Sequence, residues 1–303
     1  MKRTLIAITA FAALLIIIAA VATLAAPAKR QSGTAGLFGA NTVAIIPIKG
    51  EISFDKSVSS GLTAEEIVEK LDDAEKDSGI GAILLDIDSG GGSVVASKQI
   101  VKKIRKTKKP VVAWISEIGA SGAYYAAAAS DYVMSDEDSI TGSIGAIMFV
   151  PNAQRLLGNI GIDVNAIKSG ELKDIGSPFK SMTENERQLL EQMVLGSFKR
   201  FKSDIIEFRG KNLDVAAFNK IADGRILSGE QAEKIGMVDG FGSKEDAVKK
   251  AAALAGIQGE PETKEYAKKD FSLLDLLAES GKSFGEGLKQ GLASESTDPK
   301  LRA

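Results

Sequence analysis

The sequence predicts an α/β fold in which a largely parallel β-sheet carries flanking helices, set behind one N-terminal transmembrane helix. Three observations predict it. Short aliphatic runs at Val43–Ile48, Ala82–Ile87 and Val111–Ile115 are bounded by turns or charges, as in strands buried on both faces. Longer helical stretches lie between and after these runs, and strand–helix alternation of this kind argues for a parallel sheet. The chain also begins with an uncharged apolar run from Leu5 to Ala26, preceded by Lys2 and Arg3.

That first run is long enough, at roughly 1.5 Å per residue, to cross a hydrocarbon core of roughly 30 Å. Ala25, Ala26 and Pro27 resemble a cleavage region, but the apolar core of a cleavable signal is usually only roughly 7–15 residues. Residues 1–27 are therefore read as an uncleaved signal anchor of a single-pass cell-membrane protein. Lys29 and Arg30 nearly balance Lys2 and Arg3, so the flanking charges specify orientation weakly. One large domain behind an N-terminal anchor places that domain outside the cytoplasm. Residues 28–41 are rich in Gly, Ala, Ser and Thr without apolar periodicity, which makes them a flexible tether.

Residues 42–257 form the expected globular domain. Thr63 with Glu66, Thr183 with Glu186 and Ser228 with Gln231 have capping-box spacing and mark helix starts. The longest helix is expected from about Thr183 to Phe208, because Leu189, Leu190, Met193, Val194, Phe198, Phe201 and Ile205 recur at helical spacing. Residues 258–303 read as a polar tail. Within it, Phe271, Leu273, Leu274, Leu277, Phe284 and Leu288 outline a marginal amphipathic helix, weakened by Gly281, Gly285 and Gly287.

Composition removes whole classes of chemistry. The 303 residues include no Cys and no His. A thiol nucleophile, a Ser-His-Asp triad and a His-ligated zinc are all excluded. Any hydrolase here must move its proton with a carboxylate, a lysine, a tyrosine or an amino terminus, and no cofactor or metal is expected. A formal net charge of -2 carries no electrostatic footprint for nucleic acid.

Four local features carry candidate chemistry. Asp88-Ser89-Gly90-Gly91-Gly92-Ser93 follows a strand, and its glycines let backbone N–H groups face a ligand, as in an oxyanion hole or a phosphate turn; neither phosphate-loop pattern fits. Gly119-Ala120-Ser121-Gly122-Ala123 opens an Ala-rich helix through Ala129, where the dipole favours a developing negative charge. The same place suits an ordinary capping serine. Lys168-Ser169-Gly170-Glu171-Leu172-Lys173-Asp174 offers two candidate base lysines that spacing alone does not separate. Thr141-Gly142-Ser143-Ile144-Gly145 offers a hydroxyl able to orient a base, or simply a turn serine.

Taken together and in this order, these segments resemble the signal peptide peptidase SppA family in its short, single-domain form. The likeness covers about residues 42–257 and rests on Ser89–Ser93, Gly119–Tyr125, Thr141–Gly145, Lys168–Pro178 and Ala222–Ala232. The resemblance implies a ClpP/crotonase-like domain and a serine endopeptidase with Ser121 as nucleophile and Lys173 as general base. It further implies Ser143 as the lysine-orienting hydroxyl and Gly92 as oxyanion donor, with Gly91 as the adjacent alternative and Gly122 in support. Gly90 stands where the family usually has proline. Implied partners are remnant signal peptides or other short apolar peptides, the membrane, and further copies of the chain in a ring-like homo-oligomer whose serine and lysine meet across subunits. Alternatives are a membrane protease dedicated to one partner protein, a non-proteolytic membrane scaffold, and a crotonase-like acyl-CoA enzyme.

Overall fold

The structure is a computed structural model that describes residues 40–266. The expected anchor, the tether before residue 40 and the amphipathic stretch of the tail lie outside the described residues. Among the described residues, no helix is long and apolar enough to cross a membrane.

In chain order the strands and α-helices are β1 (Thr42–Ile52), α1 (Ala64–Lys76), β2 (Ile80–Gly92), α2 (Val94–Ile104), β3 (Val111–Ala120), α3 (Gly122–Ala128), β4 (Tyr132–Ser135), β5 (Ile140–Gly142), α4 (Gln154–Asn159), α5 (Glu184–Arg209), α6 (Val215–Ile221), β6 (Ile226–Ser228), α7 (Gly229–Glu233), β7 (Gly240–Phe241), α8 (Lys244–Leu254) and β8 (Glu262–Glu265). The sheet runs β6-β5-β3-β2-β1-β8, with β4 on β3 and β7 on β4. Its pairings are parallel except β5 with β6.

The three aliphatic runs form the centre of this sheet, with Ile48 opposite Ile87 and Ile87 opposite Ile115. Period-two alternation explains why they are apolar throughout. On one face Ile46, Ile48, Ile83, Leu85 and Ile115 pack with Ile67 and Leu71 of α1 and Ile100 and Ile104 of α2. On the other, Val43, Ile45, Leu84 and Val112 pack with Ala247, Val248 and Ala251 of α8. Both faces are covered, so neither has room for polar side chains.

Helix starts follow the capping chemistry. Thr63, Thr183 and Ser228 each close a reciprocal capping box, and so does Ser243 with Asp246 at the head of α8. In the stretch that composition assigns to the polar tail, Glu262–Glu265 pairs with Thr42–Ile45 as an exposed edge strand.

One feature of the sheet positions the site. Strand β3 uses the same edge twice, pairing Val112–Ile115 with β4 and then Ile118–Ala120 with β5. The sheet therefore forks, and the last residues of β2, β3 and β5 converge.

Helix α5 packs on α3 through Tyr125, whose ring centroid lies 4.9 Å from that of Phe201. Its C-terminal Arg209 is 4% exposed and grips Asp239 with two guanidinium nitrogens, at 2.6 and 2.9 Å. Tyr124, fully buried on α3, donates to the Met237 carbonyl at 2.8 Å. Tyr124→Phe is expected to cost about 1 kcal/mol, since it strands a buried carbonyl without changing the ring. Urea denaturation measures it, and no loss would mean that solvent replaces the donor.

Candidate active site

Ser121 stands between the end of β3 and the start of α3. Its backbone is held at φ 51, ψ -121, while its N–H donates to the Gly142 carbonyl at 2.9 Å. A non-glycine residue there costs on the order of 1–3 kcal/mol, a strain that persists only where surrounding structure imposes it. The hydroxyl makes no capping bond to α3. That removes the ordinary reason for a serine at a helix start. Apart from Ser143 at φ 53, no other non-glycine described residue has positive φ.

The aliphatic run that ends at Ile87 reads as the end of its strand. Instead β2 continues as extended backbone to Gly92, with Glu51 opposite Gly91 and Ile52 opposite Gly92. Close approach explains the glycines. A Cβ on Gly91 would lie 2.6 Å from the Gly122 nitrogen and 2.9 Å from Ser121 Cβ, and one on Gly92 would lie 2.3 Å from the Ile52 carbonyl oxygen. Gly90 has open space where a Cβ would stand, so the family's proline position is free of crowding here. The Gly91 N–H donates to Ser89 Oγ at 3.1 Å, whereas Gly92 lines the cleft beside Ser121. A Cβ on Gly122 would lie 3.5 Å from the Gly92 nitrogen. The N–H of Gly122 is among the first of α3, which have no acceptor within the helix.

Ser143 follows β5, its N–H bonded to the Arg225 carbonyl at 2.7 Å. The two candidate lysines differ in their surroundings. Lys168 donates to the Asp174 carboxylate and to the Glu171 carbonyl, each at 2.7 Å. With Lys180 on its other side, Asp174 is held down at about 2 by these two ammonium donors. Lys173 lies in the 3₁₀ turn Glu171–Asp174, exposed and without an ion pair to any described residue. It does not line the cleft that holds Ser121 of its own chain.

That cleft lies between α2, α3 and α5, about 420 Å³ including the space open to solvent. Val94, Tyr125, Ala146 and Phe201 make it apolar, and Lys98 and Arg200 stand at its wall. The Tyr125 hydroxyl donates to the Asp204 carboxylate on α5. Burial, then that carboxylate, push the tyrosine hydroxyl well above its ordinary range, so it stays a neutral hydrogen-bond donor. Lys98, Arg200 and Asp204 escaped sequence analysis because each is one polar residue on an amphipathic helix. Tyr125 was visible only as part of the Gly119–Tyr125 motif.

The arrangement gives a serine freed from capping, backbone donors beside it, and an apolar cleft for an extended chain. Residues 103–258 match the model of Peptidase family S49. A putative protease of Methanocaldococcus jannaschii is 37% identical over 265 residues, covering 84% of each chain. A putative signal peptide peptidase SppA of Enterococcus faecium is 35% identical over 61% of this chain and 54% of its own. The chloroplastic serine protease SPPA of Arabidopsis thaliana is 28% identical over 84% of this chain and 39% of its own. The match thus spans about half or less of the latter two.

Proposed function

The chain belongs to peptidase family S49 and is a serine protease, and on that premise we propose a membrane-anchored endopeptidase with Ser121 as nucleophile and Lys173 as general base. Its substrates are remnant signal peptides and other short apolar peptides, on a crotonase-like domain outside the cytoplasm. The observation that carries the reading is Ser121 itself, strained at φ 51 with its hydroxyl free of the helix it heads.

In the reaction, neutral Lys173 takes the Ser121 proton while Oγ attacks the substrate carbonyl. The oxyanion rests on the N–H groups of Gly92 and Gly122, and Ser143 orients the lysine. Collapse expels the amine with a proton from Lys173, and water, deprotonated by the same lysine, releases the acyl group.

Lys173 is supplied by a neighbouring copy. From residue 145 to 185 no side chain is buried, and Ile147, Phe149 and Ile167 are 75%, 83% and 104% exposed. A segment of that length without a core of its own does not recover its ordering entropy, and a second copy is the partner that also brings Lys173 to Ser121. The relative named signal peptide peptidase supports the substrate class. Acyl-CoA and scaffold readings lack any such support.

Co-expression of Ser121→Ala with Lys173→Ala chains tests the assignment. Each variant alone is expected to be inactive against a fluorogenic apolar peptide. Mixed rings are expected to recover roughly a quarter of wild-type activity, because a random neighbour pairing completes one site in four. A mixture as dead as its parents, with rings still formed, would place the base within one chain. Activity retained by Lys173→Ala alone would instead point to Lys98, the lysine that lines the cleft.

A further inference from the structure

The cleft beside Ser121 carries two positive charges and no acid. Lys98 enters from α2 and Arg200 from α5, and none of the residues lining the cleft is Asp or Glu. Neither cation has a carboxylate within ion-pair distance among the described residues. The side-chain bond that Arg200 makes is a long one, 3.4 Å to Ser197 Oγ in its own turn. The nearby Asp204 carboxylate is engaged by the Tyr125 hydroxyl instead.

Other described cations have found a carboxylate, as Lys49 with Asp86, Lys168 with Asp174 and Arg187 with Glu184, and others have not; what sets Lys98 and Arg200 apart is that both line the cleft that holds Ser121. Lys98 is half-buried and Arg200 exposed at the wall of this one apolar cleft. A carboxylate entering the cleft gains charge-assisted bonds from these donors. A basic substrate residue in the same place is repelled instead.

We infer that this cleft selects peptides that place a carboxylate between Lys98 and Arg200, next to the apolar residue that fills it. The carboxylate belongs either to an Asp or Glu side chain near the scissile bond or to the free C-terminus of a short peptide. The inference rests on Ser121 as nucleophile and adds the chemistry of the substrate that Ser121 attacks.

Four peptides of one apolar sequence test it on the full-length protein in detergent: neutral with an amidated end, the same with an internal Glu, the same with an internal Lys, and neutral with a free C-terminus. At least one carboxylate peptide is expected to exceed the neutral peptide in kcat/KM by about tenfold, with the advantage shrinking as salt rises. The Lys peptide is expected to fall below the neutral one. Which carboxylate peptide gains identifies the source. Lys98→Met with Arg200→Met is expected to abolish the ratio, and Lys98→Glu with Arg200→Glu to invert it towards the Lys peptide, a change that loss of packing does not produce. Equal kcat/KM for all four, or a preference that survives the double substitutions, overturns the inference while leaving the nucleophile intact. If the wild type cleaves none of the four, the proteolytic assignment of Ser121 falls and the inference falls with it.

Discussion

Ser121→Ala is expected to lower kcat/KM for peptide cleavage by about 10⁴-fold or more, the scale on which serine hydrolases respond to loss of their nucleophile. Stability is expected to change by less than about 0.5 kcal/mol, because the lost hydroxyl caps nothing and alanine bears the same φ as serine. Ser121→Gly sharpens the test. Glycine is at ease at φ 51, so this variant is expected to be as inactive as the alanine one yet no less stable, and about 1 kcal/mol more stable if the relieved strain exceeds the entropy glycine adds to the unfolded chain. Inactivity without loss of stability is what a strained catalytic serine produces. A turn serine produces neither effect on activity. Retention of activity within tenfold of wild type in both variants would exclude Ser121 as the attacking group.

Arg209→Ala is expected to destabilise the domain by about 3–5 kcal/mol, the range for breaking a buried ion pair from one side. Arg209 closes α5 onto the loop before β7. Its Nε and Nη2 donate to the Gly236 carbonyl at 3.1 and 3.0 Å, and two of its nitrogens hold Asp239. Asp239 in turn accepts from the Val133 N–H and from Asn212. Removing the guanidinium leaves a carboxylate 10% exposed with its counter-charge gone. Since α5 also supplies Phe201 and Arg200 to the cleft, activity is expected to fall with stability. Equilibrium unfolding in urea gives the number. A loss under about 1 kcal/mol would show that solvent reaches Asp239 freely and that the pair is not what holds the helix end.

The extended glycine run shows where local reading stops. Three consecutive glycines after an aliphatic strand look like a turn, because glycine weakens strands. Residues 91 and 92 are nevertheless in register with Glu51 and Ile52, since only backbone without Cβ fits between β1 and the head of α3. The cause lies some forty residues back and thirty residues ahead in the chain, out of reach of any local pattern. The two candidate lysines repeat the lesson. Spacing left Lys168 and Lys173 equivalent; the difference is the Asp174 carboxylate, whose engagement by Lys168 and Lys180 depends on how the 168–186 segment folds back on itself.

The sequence by itself determined the central strands, the starts of the capped helices, the absence of histidine and thiol chemistry, and the serine around which the protease family is recognised. Those are consequences of side-chain period, capping hydrogen bonds and residue inventory, all of which act within a few residues. Tertiary structure alone decided that β3 splits its edge between β4 and β5, that Gly92 rather than Gly91 lines the cleft, that residues 262–265 close the sheet, and that Lys98 and Arg200 line the same cleft as Ser121. Each of these joins segments far apart in the chain, and what joins them is strand register and the packing of helices on both faces of one sheet.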